Sequence, residues 1–226
     1  MKKSILLLVI PVFFFGSCDL MGPQIEENGL TRDINNLVPQ EILDEMDALG
    51  LPVYTGENPP DIGLGSTGTT FYASPFVLLS SNRSSDTPGY TFADYYVRFY
   101  NQKNSNLTVS VDYSNGGETG NGIGAYIVGE NNNFSVFVEI DSEYKSSKAK
   151  MVHVISGTMS KAGIVDLYFA NFMLDNYGNA SGYWIANGDG RVIYDSDGLS
   201  EVTTGIFNAP RLNVKGISGL TISTAK

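Results

Sequence analysis

The stretch that decides the fold is Asn106-Leu107-Thr108-Val109-Ser110-Val111-Asp112-Tyr113. Leu107, Val109, Val111 and Tyr113 fall on one side of an extended chain, and Thr108, Ser110 and Asp112 on the other. Alternation with a period of two and one polar face is the pattern of an antiparallel strand covering a core. The same pattern runs through the neighbouring segments. Ala93, Tyr95, Val97 and Phe99 oppose Asp94, Tyr96, Arg98 and Tyr100, while Phe134, Val136, Val138 and Ile140 alternate with Ser135, Phe137 and Glu139.

Working outward gives nine strand segments: 70–80, 90–101, 106–113, 122–129, 133–140, 149–158, 163–174, 181–187 and 190–195. The links between them are short and rich in turn formers, among them Asn115-Gly116-Gly117, Asn131-Asn132 and Asn187-Gly188-Asp189-Gly190. Short links make an up-and-down meander in which each strand pairs with the next. A meander of eight or nine strands left open exposes two edges, and closure removes them. The expected fold is therefore all-β: an antiparallel meander closed into a lipocalin-like barrel, with one short N-terminal helix. A two-sheet β-sandwich of the same strands is the alternative. The segment Ile164–Leu174 is apolar on both faces, so its outer face needs a cover, from the helix or from the C-terminal segment.

The helix is expected over Val38–Leu49. Pro39 suits a first turn, Ile42, Met46 and Leu49 make a stripe, and Gly50 and Pro52 end it. Such a stripe could plug one end of the barrel. Leu51–Thr69, with Pro52, Pro59, Pro60 and several glycines, reads as irregular loop. Leu199–Lys226 reads as a C-terminal segment able to add edge strands.

The first residues read as an export signal: Lys2 and Lys3, then an apolar run from Ile5 to Phe15, too short for a span of roughly 20 residues. Phe15-Gly16-Ser17-Cys18 resembles the bacterial lipobox, whose cysteine is acylated and becomes the new N-terminus. Cys18 is the only cysteine of the 226 residues, so no intramolecular disulfide can form. The expected organisation is a signal peptide over 1–17, a lipidated N-terminus and flexible tether over 18–37 with a reach of roughly 25 Å, a folded domain over 38–198, and the segment 199–226. The expected location is the cell envelope, at the outer membrane or cell surface rather than the inner membrane, with palmitate or a similar acyl group as the anchor. The chain carries 14 basic and 24 acidic residues, a formal net charge of −10. That surface repels nucleic acid and anionic lipid faces.

No residue set points to a reaction. His153 is the only histidine and reads as a structural residue within a strand. The patterns G-x-S-x-G, H-E-x-x-H and the phosphate-binding P-loop are absent. Asp94 with Glu139, or Asp112 with Asp166, would be the carboxylate pairs of a hydrolase. Asn187, Asp189, Asp195 and Asp197 give a weak calcium-loop pattern without the full order of ligands. The four N-x-[ST] sequons, at Asn82, Asn106, Asn133 and Asn179, sit where turns favour Asn in any case. No cofactor is expected. The inward rows place Tyr95, Phe99, Tyr113, Phe134 and Phe169 either as filling of the core, the simpler reading, or as candidates to line a pocket. Tyr96, Tyr100, Tyr126 and Trp184 are candidates for an exposed stacking platform for sugars. The expected function is a non-enzymatic module that binds a small apolar or amphipathic ligand inside the barrel. The alternative is an envelope surface protein that binds glycan or a protein partner.

A resemblance accompanies these readings. Leu51-Pro52-Val53-Tyr54 with Gly56 and Asn58-Pro59-Pro60, Phe71-Tyr72 with Ser74-Pro75, Phe92-Ala93-Asp94 with Phe99-Tyr100-Asn101-Gln102, Asn132-Asn133-Phe134, Ile155-Ser156-Gly157-Thr158, and Asp195 with Asp197-Gly198 resemble a group of lipoproteins of Bacteroidota-type bacteria. The likeness covers roughly residues 40–199. It implies export, lipidation and a lipocalin-like barrel, and it brings no ligand or site residues.

Overall fold

The structure, a computed structural model, describes residues 22–204 apart from 117, 145 and 146, with the backbone alone at 123, 143 and 144. Cys18, the residues read as an export signal, and the part of the C-terminal segment beyond residue 204 lie outside the described residues.

Ten strands form one sheet: β1 (Thr69–Ala73), β2 (Phe76–Ser81), β3 (Tyr95–Lys103), β4 (Thr108–Asn115), β5 (Glu118–Glu130), β6 (Asn133–Tyr144), β7 (Ser147–Met159), β8 (Gly163–Asp175), β9 (Gly190–Asp195) and β10 (Leu199–Thr203). β3 to β9 are a meander in which each strand pairs antiparallel with the next. β10 pairs with β1 on one side and with the first residues of β8 on the other, and β1 pairs with β3. That closes an eight-stranded barrel of β1, β3–β8 and β10, as the alternation pattern leads one to expect. β9 pairs with the second half of β8, and β2 pairs with β9, continuing the wall at one end.

The structure departs from expectation at several strands. Segment 70–80 is two strands, split at Ser74-Pro75, because proline cannot donate to a ladder. Residues 181–187 form turns instead of a strand. Asn179 holds this segment by accepting from Trp184 N (2.9 Å) and donating to Trp184 O (2.6 Å), local bonds that replace a ladder. Leu199–Thr203 is no edge strand; it is the closing strand, so the folded domain runs past 198. Ala93 precedes β3 and is exposed, outside the inward row of Tyr95, Val97 and Phe99. In β8, Asp166 adopts a positive φ of 50° where the register shifts. This irregularity puts Ile164 into the interior with Leu167 and Phe169 instead of on the face of Tyr168 and Phe172.

Two helices precede the barrel, where one was expected. α1 (Arg32–Leu37) lies in the segment read as flexible tether, and α2 (Gln40–Ala48) follows with Pro39 as its N-cap. Thr31 caps α1 by accepting from Ile34 N (3.1 Å), and Ile25 bridges to Thr31. The tether reading overlooked the apolar spacing of Ile25, Leu30, Ile34 and Val38. These residues and Met46 of α2 pack on the outer side of the wall, against Val128, Phe137, Val152, Val154, Ala170, Phe172 and Val192. The helices thus cover the second apolar face of β8 and do not plug an end. Burial of both faces is what makes β8 read as apolar throughout.

The end of the barrel holding the β3–β4 and β5–β6 connections is closed by the loop at 59–68. Ile62 enters the interior cluster with Phe71, Phe99 and Phe134. Gln102, itself buried, clamps the loop: its Oε1 accepts from Ile62 N (2.8 Å) and Gly63 N (3.0 Å), and its Nε2 donates to Pro60 O (2.8 Å). The loop lies so close that a Cβ at Gly63 or Gly68 would fall 2.4 or 2.0 Å from the Phe99 backbone, and Gly68 has φ +66°.

Candidate functional site

The opposite end of the barrel, near the β4–β5 connection, is not filled. A cavity of about 180 Å³ opens there between Phe76, Phe92, Tyr95, Tyr113, Asn115, Glu118, His153, Phe169, Asn171, Tyr183, Arg191 and Ile193. For scale, an apolar cavity of about 150 Å³ accepts a benzene molecule. Larger depressions flank the N-terminal segment at Gly22, Pro23, Gln24 and Arg32, but these are open surface grooves.

Aromatic rings make the walls of the cavity. Phe76 and Tyr95 stack at 4.7 Å, and Tyr95 lies 5.0 Å from Phe169. His153 presents its ring edge-on between Tyr113 (5.0 Å) and Phe169 (4.9 Å). Tyr95, Tyr113 and Phe169 thus meet in one place, as the inward pattern implies. Phe99 and Phe134 do not join them: Phe99 packs on Phe134 (6.0 Å) and on Phe71 (6.1 Å) near the closed end.

The polar part of the lining is what period-two reading missed. Val138, His153, Asn171 and Arg191 are successive partners across β6, β7, β8 and β9. One register row therefore carries three polar side chains, within a wall whose next row, Val136, Ile155, Phe169 and Ile193, is apolar. The Tyr95 hydroxyl, both ring nitrogens of His153 and Asn171 Oδ1 are buried without a hydrogen-bond partner. Unpaired buried polar atoms are rare in folded proteins and typically cost 1–3 kcal/mol each, so four in one cluster need a reason. Burial pushes the His153 pKa down to about 3, which keeps the imidazole neutral. No carboxylate is bonded to either nitrogen to orient it as a catalytic base.

Glu118 stands at the mouth and accepts from the Tyr113 hydroxyl (2.7 Å). Burial raises its pKa, partly countered by that bond. Tyr113 is likewise pushed up, first by burial and then by the charge of Glu118. Across the mouth, Arg191 is neutralised: its Nε and Nη2 donate to Asp86 at 2.7 and 3.1 Å. Asp86 also receives Arg83 (2.8 Å), which in turn reaches Asp189 (2.9 Å). The Arg191 bond, above all, lowers the Asp86 pKa.

The other candidates take structural roles. Asp189 serves Arg83 and the Ala186 amide, Asp195 accepts from Ser200 (2.7 Å), and Asp197 accepts from Leu199 N (3.0 Å). Among the described residues no group of three His, Cys, Asp or Glu side chains could hold a metal ion. The carboxylates considered for hydrolysis are separated into different roles: Asp94 accepts from Tyr72 and Ser74, Glu139 pairs with Lys150, Asp112 is buried against Arg98, and Asp166 sits exposed in the β8 irregularity. Trp184 is not exposed: it retains 7 % of its surface, packs on Ala149, Met151 and Met173, and donates from Nε1 to Ser147 (3.0 Å). Tyr126 is half-buried beside the helices, whereas Tyr96 pairs with Tyr72 at 4.8 Å on the outer wall.

No protein-family model, no curated protein and no solved structure matches this chain.

Proposed function

We propose that this chain is a lipid-anchored extracytoplasmic binding protein that holds a small amphipathic ligand in the mouth of its barrel. The observation that carries the reading is the cavity itself, with aromatic walls and a cluster of buried polar atoms lacking partners. A pocket lined mainly by apolar and aromatic side chains with a few convergent polar groups is what small-molecule sites have in common. The lipid anchor rests on Cys18 and its lipobox. Mass spectrometry of the processed N-terminus tests it: an acylated Cys18 supports it, and an unmodified one removes it.

The ligand reading is tested by native mass spectrometry of the protein purified from cells. A small adduct present in the unmodified chain and absent from Asn171→Trp, which fills the cavity, supports it. An adduct unaffected by the substitution places the ligand elsewhere.

The Tyr72–Tyr96 pair on the outer wall favours a second reading, a surface protein that binds glycan through this pair. Loss of glycan-array binding in Tyr96→Ala, with the cavity untouched, distinguishes it.

A further inference from the structure

From the donors and acceptors around the cavity we infer that its ligand is a small protonated amine with a ring-sized apolar body. This rests on the cavity being the binding site. The geometry of the lining points to a ligand that brings hydrogen-bond donors and positive charge.

The lining is rich in acceptors. Asn171 Oδ1 can only accept, a neutral His153 offers one accepting nitrogen, and the Glu118 carboxylate has accepting capacity beyond its one bond from Tyr113. The Tyr95 hydroxyl can accept as well. An ammonium group supplies three donors and no acceptor. It can donate to Asn171 Oδ1, to the accepting nitrogen of His153 and to Glu118, whereas a carboxylate or phosphate would find only the His153 N–H and the Tyr95 hydroxyl to donate to it and would set its acceptors against Asn171 Oδ1 and the Glu118 carboxylate.

Charge leads to the same class. Arg191, the one cation of the lining, belongs to a closed set of two arginines and two aspartates with Arg83, Asp86 and Asp189. None of the ion pairs among the described residues involves Glu118. Its carboxylate is therefore the unmatched charge at the mouth, partly withdrawn from water. Phe76, Tyr95, Tyr113 and Phe169 line the same space, and aromatic rings attract a cation most strongly when it is desolvated. The volume of about 180 Å³ admits a single ring with a short arm.

The test uses three probes of nearly the same shape: benzylamine, benzyl alcohol and benzoate, titrated at pH 8 into the full chain and followed by NMR shifts of the amides of His153, Asn171 and Arg191. Benzylamine should bind about tenfold or more tighter than benzyl alcohol, and benzoate should not bind. In Glu118→Gln, a nearly isosteric change, the advantage of the amine should vanish while the affinity for the alcohol stays. Equal affinity for amine and alcohol, or preference for benzoate, overturns the amine assignment and leaves the cavity as a site. An advantage that survives in Glu118→Gln also overturns it. If none of the probes shifts these amides, and xenon under pressure shifts none either, the inference fails together with the pocket reading.

Discussion

Phe76 and Tyr95 lie nearly parallel, 7° between planes and 4.7 Å between centroids, although β2 and β3 are not ladder partners. β1 pairs with β3 and β2 with β9, so the wall divides beyond Ser74-Pro75, and this stack spans the division from inside. Removing it in Phe76→Ala should destabilise the fold by roughly 3–5 kcal/mol, measured by denaturant unfolding. A loss under about 1 kcal/mol would mean that the ladder alone holds the wall.

Stability and binding should oppose each other at the cavity. Tyr95→Phe and Asn171→Leu each remove a buried polar atom that has no partner in the protein. Each should leave stability unchanged or raise it by about 1 kcal/mol, while weakening capture of any ligand that uses the removed atom. A clear destabilisation in both would indicate that these atoms are satisfied within the fold.

The pH dependence follows from His153. An unfolded chain takes up a proton on histidine near pH 6.5, whereas the folded chain resists until about 3. Below about pH 6.5 the unfolded state binds more protons, so stability falls as pH falls, by roughly 1.4 kcal/mol per unit at most. Glu118 and Asp195, both raised chiefly by burial, act in the opposite sense: their contribution is present below the ordinary carboxylate pKa and is lost as pH rises through the raised one. In His153→Leu the decline of stability between pH 6.5 and 4.5 should flatten. An unchanged slope in urea titrations would assign it to other groups.

At the closed end, Gln102→Ala strips two loop amides of their acceptor and should cost about 2–4 kcal/mol. Gly68→Ala meets both a positive φ and the Phe99 backbone and should cost at least about 2 kcal/mol. Thermal unfolding of both variants checks this, and a near-neutral Gly68→Ala would show that the loop can lift away.

Trp184 gives a direct optical check on the 176–189 connection. Buried on Met151 and Met173, it should emit to the blue of free tryptophan and resist aqueous quenchers. Emission like that of an exposed indole would refute the docking of this connection on the barrel rim.

Strands were legible because each has one face in the core, so Val109, Val111 and Tyr113 repeat at every second position whatever their partners are. The barrel's closing strand was less legible: Leu199–Thr203 is five residues long, and both its partners lie far off in sequence. α1 hid among polar residues, because Ile34 is its only fully buried side chain. The cavity was half legible. Its aromatic walls follow from strand parity, but His153, Asn171 and Arg191 form one row only after three registers are known. Glu118 opens β5, and the next residues of its parity, Gly120 and Gly122, have no side chain to display an alternation. The one available signal was a polar residue in each of three inward rows, and for His153 it read as an isolated structural residue.

The docked N-terminal segment sets a direction. Gly22 lies beside the carbonyl of Ser105, in the β3–β4 connection, while the mouth lies at Asn115 and Glu118, at the other end of β4. The eight residues of β4 separate the two by roughly 26 Å. With the proposed lipid on Cys18, four residues before Gly22, the chain allows at most about 14 Å of slack. With that anchor the tether would attach at the closed end, the end of the barrel farthest from the mouth, an arrangement suited to loading from the aqueous phase rather than to extraction from the lipid beneath.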